Sequence, residues 1–117
     1  MSDPIKISVI RKSQPVSLEV SEGEEILIYI KEMTGAQRDD YFNRMAARTK
    51  LDEKGEIVGV KDYKGLYSGL LSLCTYAADG KPVPEKEIQD WPDTAQKQLF
   101  ELARDLNNLV REGDSKN

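Results

Sequence analysis

At 117 residues the chain carries enough apolar material for one domain with its own core and too little for two of ordinary size. Charged residues make up 32% and hydrophobic ones 38%, so a small core lies under a large polar surface, and the formal charge of -4 opposes nonspecific binding to nucleic acid or to an anionic membrane. The absence of histidine excludes Ser-His, Cys-His and most zinc-site chemistry, and a single cysteine, Cys74, excludes an internal disulfide, as expected of a reducing compartment.

Residues 1–31 read as strands. Ile5, Ile7 and Val9 alternate with Lys6 and Ser8, and Val16, Leu18 and Val20 alternate with Ser17 and Glu19, so each run presents one apolar face. Pro15 separates the two runs. The Ser21-Glu22-Gly23-Glu24 cluster supplies turn residues before Ile26-Leu27-Ile28-Tyr29-Ile30, and a hairpin pairing about 16–20 with about 25–31 follows. Ile26, Ile28 and Ile30 form one face of the second strand, while Leu27 and Tyr29 make the other face apolar too. A strand of that kind is usually covered on both sides, by helices of its own chain or by another protein.

From Glu32 the pattern becomes helical. Thr34 can cap a helix with its hydroxyl while Gln37 reaches back to the Thr34 amide, which predicts a helix over about 35–48 with Tyr41, Phe42 and Met45 at helical spacing. Asp40 lies four before Arg44, a favourable surface pair. Residues 51–62 contain Asp52-Glu53-Lys54-Gly55 and then Ile57, Val58 and Val60, an excursion able to form a second small hairpin. The stripe Tyr63, Leu66, Leu70, Leu73, Cys74 and Ala77 predicts a buried helix over about 63–78, with Gly65 and Gly69 implying close packing or a late start. Asp79-Gly80 is expected to end it with a left-handed cap. Pro84 opens a short acidic helix to about residue 90. Asp93 and Gln96 repeat the capping spacing ahead of a last helix over about 93–110, and residues 111–117 read as a flexible tail. The expectation is an α+β fold in one domain, residues 1–110, with a β part in 1–31 and a helical part in 32–110.

Chemistry is sparse along this order. No G-x-x-x-x-G-K-[ST] or G-x-G-x-x-G occurs. A calcium loop with Gly55 at its sixth place would put Lys50, Lys54 and Lys61 at liganding positions, and one with Gly80 there would put Thr75 and Lys86 at two of them, so neither is an EF-hand. Cys74 and Trp91 read as core residues, and Glu85, Glu87 and Asp90 as a solvated face at a helix start. No catalytic, cofactor or metal residue is predicted. No apolar run approaches the roughly 20 residues needed to span a bilayer, and Met1-Ser2-Asp3-Pro4 is not the opening of a signal peptide, so a cytoplasmic protein is expected.

The order of elements resembles the tail assembly chaperones of long-tailed phages and prophages. The matching pieces are Lys31 through Asp39 (Lys-Glu-Met-Thr-Gly-Ala-Gln-Arg-Asp) with Tyr41 and Asn43-Arg44-Met45, then Leu70-Leu71-Ser72-Leu73-Cys74. They continue with Ala78-Asp79-Gly80-Lys81-Pro82-Val83-Pro84, Ile88-Gln89-Asp90-Trp91-Pro92 and the final amphipathic helix. Ala77-Ala78 departs from a more acidic family pattern. The resemblance covers about residues 24–109 and rests on capping, turn and core residues. It implies a non-enzymatic protein of the host bacterial cytoplasm that coats the tape measure protein, keeps it soluble, and is missing from the mature virion. It further implies recruitment of the tail tube protein through a longer frameshifted product, and it is compatible with a homo-oligomer. The residues expected to meet the partner are Ile26, Ile28, Ile30, Tyr41 and Phe100. Two other functions fit the same residues, a small structural virion protein such as a connector or tail-completion protein, and an acidic regulator of a host protein.

Overall fold

The computed structural model describes residues 3–61 and 63–109, and the fold is α+β. Strands β1 (Ser13–Ser21) and β2 (Glu24–Lys31) lead into helix α1 (Gly35–Arg48). After it come β3 (Thr49–Leu51), β4 (Ile57–Val60), α2 (Ser68–Cys74), β5 (Thr75–Ala77), α3 (Glu85–Gln89) and α4 (Asp93–Leu106). β1 and β2 form an antiparallel hairpin with Val16 opposite Ile28 and Leu18 opposite Ile26. Gly23 takes φ +79° in its turn, a conformation that residues with a side chain rarely adopt. β5 pairs antiparallel with the other side of β2, giving the order β1-β2-β5, and β3 with β4 makes a separate two-stranded hairpin.

Several elements differ from the pattern in the sequence. Residues 5–10 are not a strand; Ile5, Ile7, Val9 and Ile10 are 80–92% exposed. Alternation alone makes no strand without a ladder partner, and this arm has none among the described residues. The helix expected over 63–78 is confined to Ser68–Cys74. Gly65, at φ +74°, blocks an earlier start, and the chain leaves the helix at Thr75 because Thr75–Ala77 completes the hydrogen bonding of β2. Gly80 is indeed left-handed, at φ +89°, but it turns the chain after β5 instead of capping a helix: the Gly80 N–H donates to the Ala77 carbonyl (2.9 Å) and the Ala77 N–H to Lys81 (2.8 Å).

The helix ends follow local chemistry. At α1 the capping box forms, with Gln37 N–H donating to Thr34 Oγ1 (3.2 Å) and Thr34 N–H to Gln37 Oε1 (2.9 Å). At α4 the corresponding pair does not form. Pro92 occupies the cap, and Gln96 Nε2 instead donates to the carbonyls of Trp91 (2.9 Å) and Gln89 (3.2 Å), tying α4 to the end of α3. Pro84 likewise stands just outside α3 as its cap residue, not within the first turn. The helix α4 stops at Leu106, short of the expected residue 110, which lies outside the described residues together with the tail at 111–117.

The core joins both parts of the chain. Ile28 and Ile30 of β2 pack with Met33, Tyr41 of α1, Leu70, Leu71 and Cys74 of α2, Val83, Ile88 of α3, and Leu99 and Ala103 of α4. Polar residues are built into it too, and Asn107 among them is the most connected. Asn107, next after α4, accepts from the Met33 N–H through Oδ1 (2.7 Å) and donates through Nδ2 to the Ala103 carbonyl (2.9 Å). The end of the last helix is thereby fastened to the junction of strand and first helix.

Candidate functional site

The titratable groups read as structural. Cys74 is fully buried, and burial pushes its thiol from its ordinary value near 9 up to about 12, against the opposing effects of the Asn107 hydrogen bond and the Arg11 charge. A thiol that stays protonated is a poor nucleophile. At neutral pH, Cys74 is therefore expected to resist alkylation in the native protein and to react once urea unfolds it, as mass spectrometry of iodoacetamide-treated samples would reveal. Because the folded state holds the neutral thiol, its contribution to stability is complete below pH about 9 and is lost as pH rises toward about 12. Glu85 is not part of a free acidic face: its carboxylate lies 3.4 Å from Arg44 Nη1 and accepts from Ser68 Oγ (3.2 Å). Arg44 also pairs with Asp40 at 3.4 Å, and as a half-exposed pair it adds little stability. Glu87 and Asp90 are exposed as expected, and Trp91 packs half-buried against the core.

The five residues expected to meet a partner are not brought together. Ile28 (1% exposed), Ile30 (0%) and Tyr41 (8%) belong to the core and offer little or no surface in the folded chain. The physical reason is that α2 and α4 pack on the inner end of β2. Phe100 is half-buried, its ring 5.0 Å from that of Tyr67. Ile26 alone remains substantially open, at 43%.

Around Ile26 the hairpin carries its apolar faces past the helical layer. Val20 (46%) and Ile26 are exposed toward the turn, and Leu27 (44%) is exposed on the opposite face. That opposite face is otherwise occupied. Tyr29 stands beside Tyr76 of β5, and Lys31 Nζ and Arg11 Cζ lie 4.9 and 5.5 Å from the Tyr76 ring centre. Arg11 Nη2 and Gln37 Nε2 each donate to the Tyr76 hydroxyl at 3.3 Å. Burial works against ionisation of this phenol, but these hydrogen bonds and the two cations outweigh it and hold the group below its ordinary value. Glu19, Glu22, Glu24 and Glu25 rim the open end of the hairpin, and no basic residue occurs between Val16 and Ile28.

No protein-family model, curated protein or solved structure matches the chain.

Two open pockets lie on the surface of the described residues. One of about 510 Å³ lies between 63–68 and the side chains of Gln89, Asp93 and Gln96, and one of about 390 Å³ lies between Arg11, Tyr29, Lys31 and Gly80. Among the described residues no group of three or more acidic or cysteine side chains is placed to hold a metal ion, and no helix is long and apolar enough to cross a membrane. Beyond residues 5–10, the exposed apolar residues that the sequence pattern did not single out as partner-binding include Val20, Leu27 and Phe42, with Leu51, Val58 and Tyr63 on and after the second hairpin. Leu27 was signalled by the double-faced strand. The others had no signal, because periodicity identifies a face without saying how far a neighbouring layer covers it.

Proposed function

We propose that the chain is a phage tail assembly chaperone that binds the tape measure protein in the host bacterial cytoplasm and is left out of the mature virion. The residue-level resemblance at Lys31–Asp39, Leu70–Cys74 and Ala78–Pro84 gives the reading its family. The feature that supports it in three dimensions is the apolar end of the β1–β2 hairpin, where Val20 and Ile26 on one face and Leu27 on the other are open to solvent near the exposed Glu19, Glu22, Glu24 and Glu25. A long amphipathic helix would aggregate if bare, and such a helix is recognised by an apolar surface with a polar rim. Many copies along one tape measure would add avidity. Recruitment of the tail tube protein belongs to the same proposal, through a longer frameshifted form.

Coexpression with the neighbouring tape measure gene tests it. The tape measure protein is expected to be soluble with the wild-type chain and to precipitate with the double variant Ile26→Asp, Leu27→Asp, whose core residues are untouched. Equal solubility of the tape measure without this chain defeats the reading. Mass spectrometry of purified particles separates it from a connector or tail-completion protein, which would be present in the virion.

A further inference from the structure

β1 is an open edge of the sheet, and the same chain carries a strand-like segment, residues 5–10, that pairs with no strand among the described residues. We propose that residues 5–10 of one copy add as a strand to the free edge of β1 in a second copy, alongside Val16–Glu19. The inference does not depend on the chaperone reading.

Four observations point to this occupant. First, the arm alternates as a strand does, yet Ile5 (87%), Ile7 (80%), Val9 (92%) and Ile10 (84%) are all exposed, and among the described residues its one hydrogen bond is local, from Ile10 N–H to Ser8 Oγ. Second, the edge is available over a defined window. The Glu32 N–H donates to the Lys12 carbonyl, so Lys12 and every second residue after it face β2, while the backbone groups of Ser13, Pro15, Ser17 and Glu19 point outward. Pro15 offers no N–H there and closes the edge toward Ser13. Ser17 and Glu19 leave their N–H and C=O groups free. The opposite edge of the sheet is already covered, since Val83 N–H donates to Thr75 and Ala77 N–H to Lys81.

Third, the charges are complementary. Residues 5–10 carry Lys6 and no acid, whereas 16–28 carry Glu19, Glu22, Glu24 and Glu25 and no base. Fourth, the arm cannot serve its own edge. Arg11 Nε donates to the Glu32 carbonyl (2.7 Å) and Lys12 N–H to Glu32 Oε1 (3.1 Å), so both residues continue the line of β1 beyond β2. The arm therefore leaves the sheet at the end away from the hairpin turn, and reaching Val16–Glu19 of the same copy would need a reversal at the two residues that are held straight. A second copy meets no such obstacle. Added there, Ile5, Ile7 and Val9 extend the apolar face of Val16, Leu18 and Ile26. Reciprocal exchange closes a dimer, and one-way exchange builds an array.

Light scattering of the full chain over a range of concentrations tests the proposal, with two variants. Deleting residues 3–10 removes the arm without touching the core. Ser17→Pro blocks the edge at a position whose N–H points away from β2; if that variant misfolds by circular dichroism, Glu19→Lys with Glu25→Lys replaces it. The wild-type mass is expected to rise with concentration, each variant to stay a single copy, and a mixture of the two to associate, because one supplies the edge and the other the arm. Lys6→Glu is expected to weaken association about tenfold by placing like charges together. A wild-type chain that stays a single copy at every concentration overturns the proposal, as does a mixture that fails to associate. Association that survives deletion of the arm would mean edge-to-edge pairing of β1 strands and overturns it equally.

Discussion

Asn107→Ala is expected to destabilise the protein by about 2–4 kcal/mol, although no sequence pattern marks this residue. Asn107 is 7% exposed and holds three elements at once. Its Oδ1 accepts from Met33 N–H at 2.7 Å, and its Nδ2 donates to the Ala103 carbonyl at 2.9 Å and lies 3.5 Å from Cys74 Sγ. Losing an ordinary hydrogen bond costs about 1 kcal/mol, while stranding a buried donor costs about 1–3 kcal/mol more. Met33 is itself 8% exposed, so water does not readily replace the lost acceptor. Asn107→Asp separates the two halves of the interaction: it keeps an acceptor for Met33 but sets an oxygen against the Ala103 carbonyl. Burial would raise the folded-state pKa of that carboxyl, so its penalty is full above the folded pKa and shrinks as pH falls and the group is protonated. Urea denaturation curves measure both variants. An alanine variant within about 0.5 kcal/mol of wild type would mean that the bond to Met33 is dispensable.

What the sequence discloses is governed by how far apart the interacting groups lie. Thr34 and Gln37 are three residues apart, and their capping box could be read before any tertiary contact was known. The β1–β2 hairpin was legible for the same reason, since alternation and Gly23 both act locally. Asn107 and Met33 are 74 residues apart, and nothing in either neighbourhood announces the bond. Residues 5–10 and 75–77 illustrate opposite failures of periodicity. The arm has the pattern of a strand but no ladder. Thr75–Ala77 continues a helical stripe, yet backbone groups on the open side of β2 require partners, and that demand overrides the local pattern. The candidate surface follows the same rule. The face shared by Ile26, Ile28 and Ile30 was readable, whereas the line between covered and uncovered positions is drawn by α2 and α4, which come much later in the chain.

That line makes the strongest contrast available within one strand. Ile30→Ala is expected to cost about 2–5 kcal/mol, because the side chain is 0% exposed and the surrounding layer can close only partly on the space left behind. Ile26→Ala, on the same face of β2 and 43% exposed, should cost less than about 1 kcal/mol, since much of its surface is in water already. Chemical denaturation gives the two stabilities and coexpression gives the two binding phenotypes. Under the chaperone proposal they dissociate. Ile30→Ala weakens tape measure solubilisation only as far as it unfolds the chain, whereas Ile26→Asp weakens it in a chain that remains folded. Equal destabilisation by the two alanine variants would place Ile26 under a covering layer and remove the hairpin end as a docking surface. A folded Ile26→Asp chain that still solubilises the tape measure would remove Ile26 from the docking surface and point to other exposed apolar residues such as Leu51, Val58 and Tyr63.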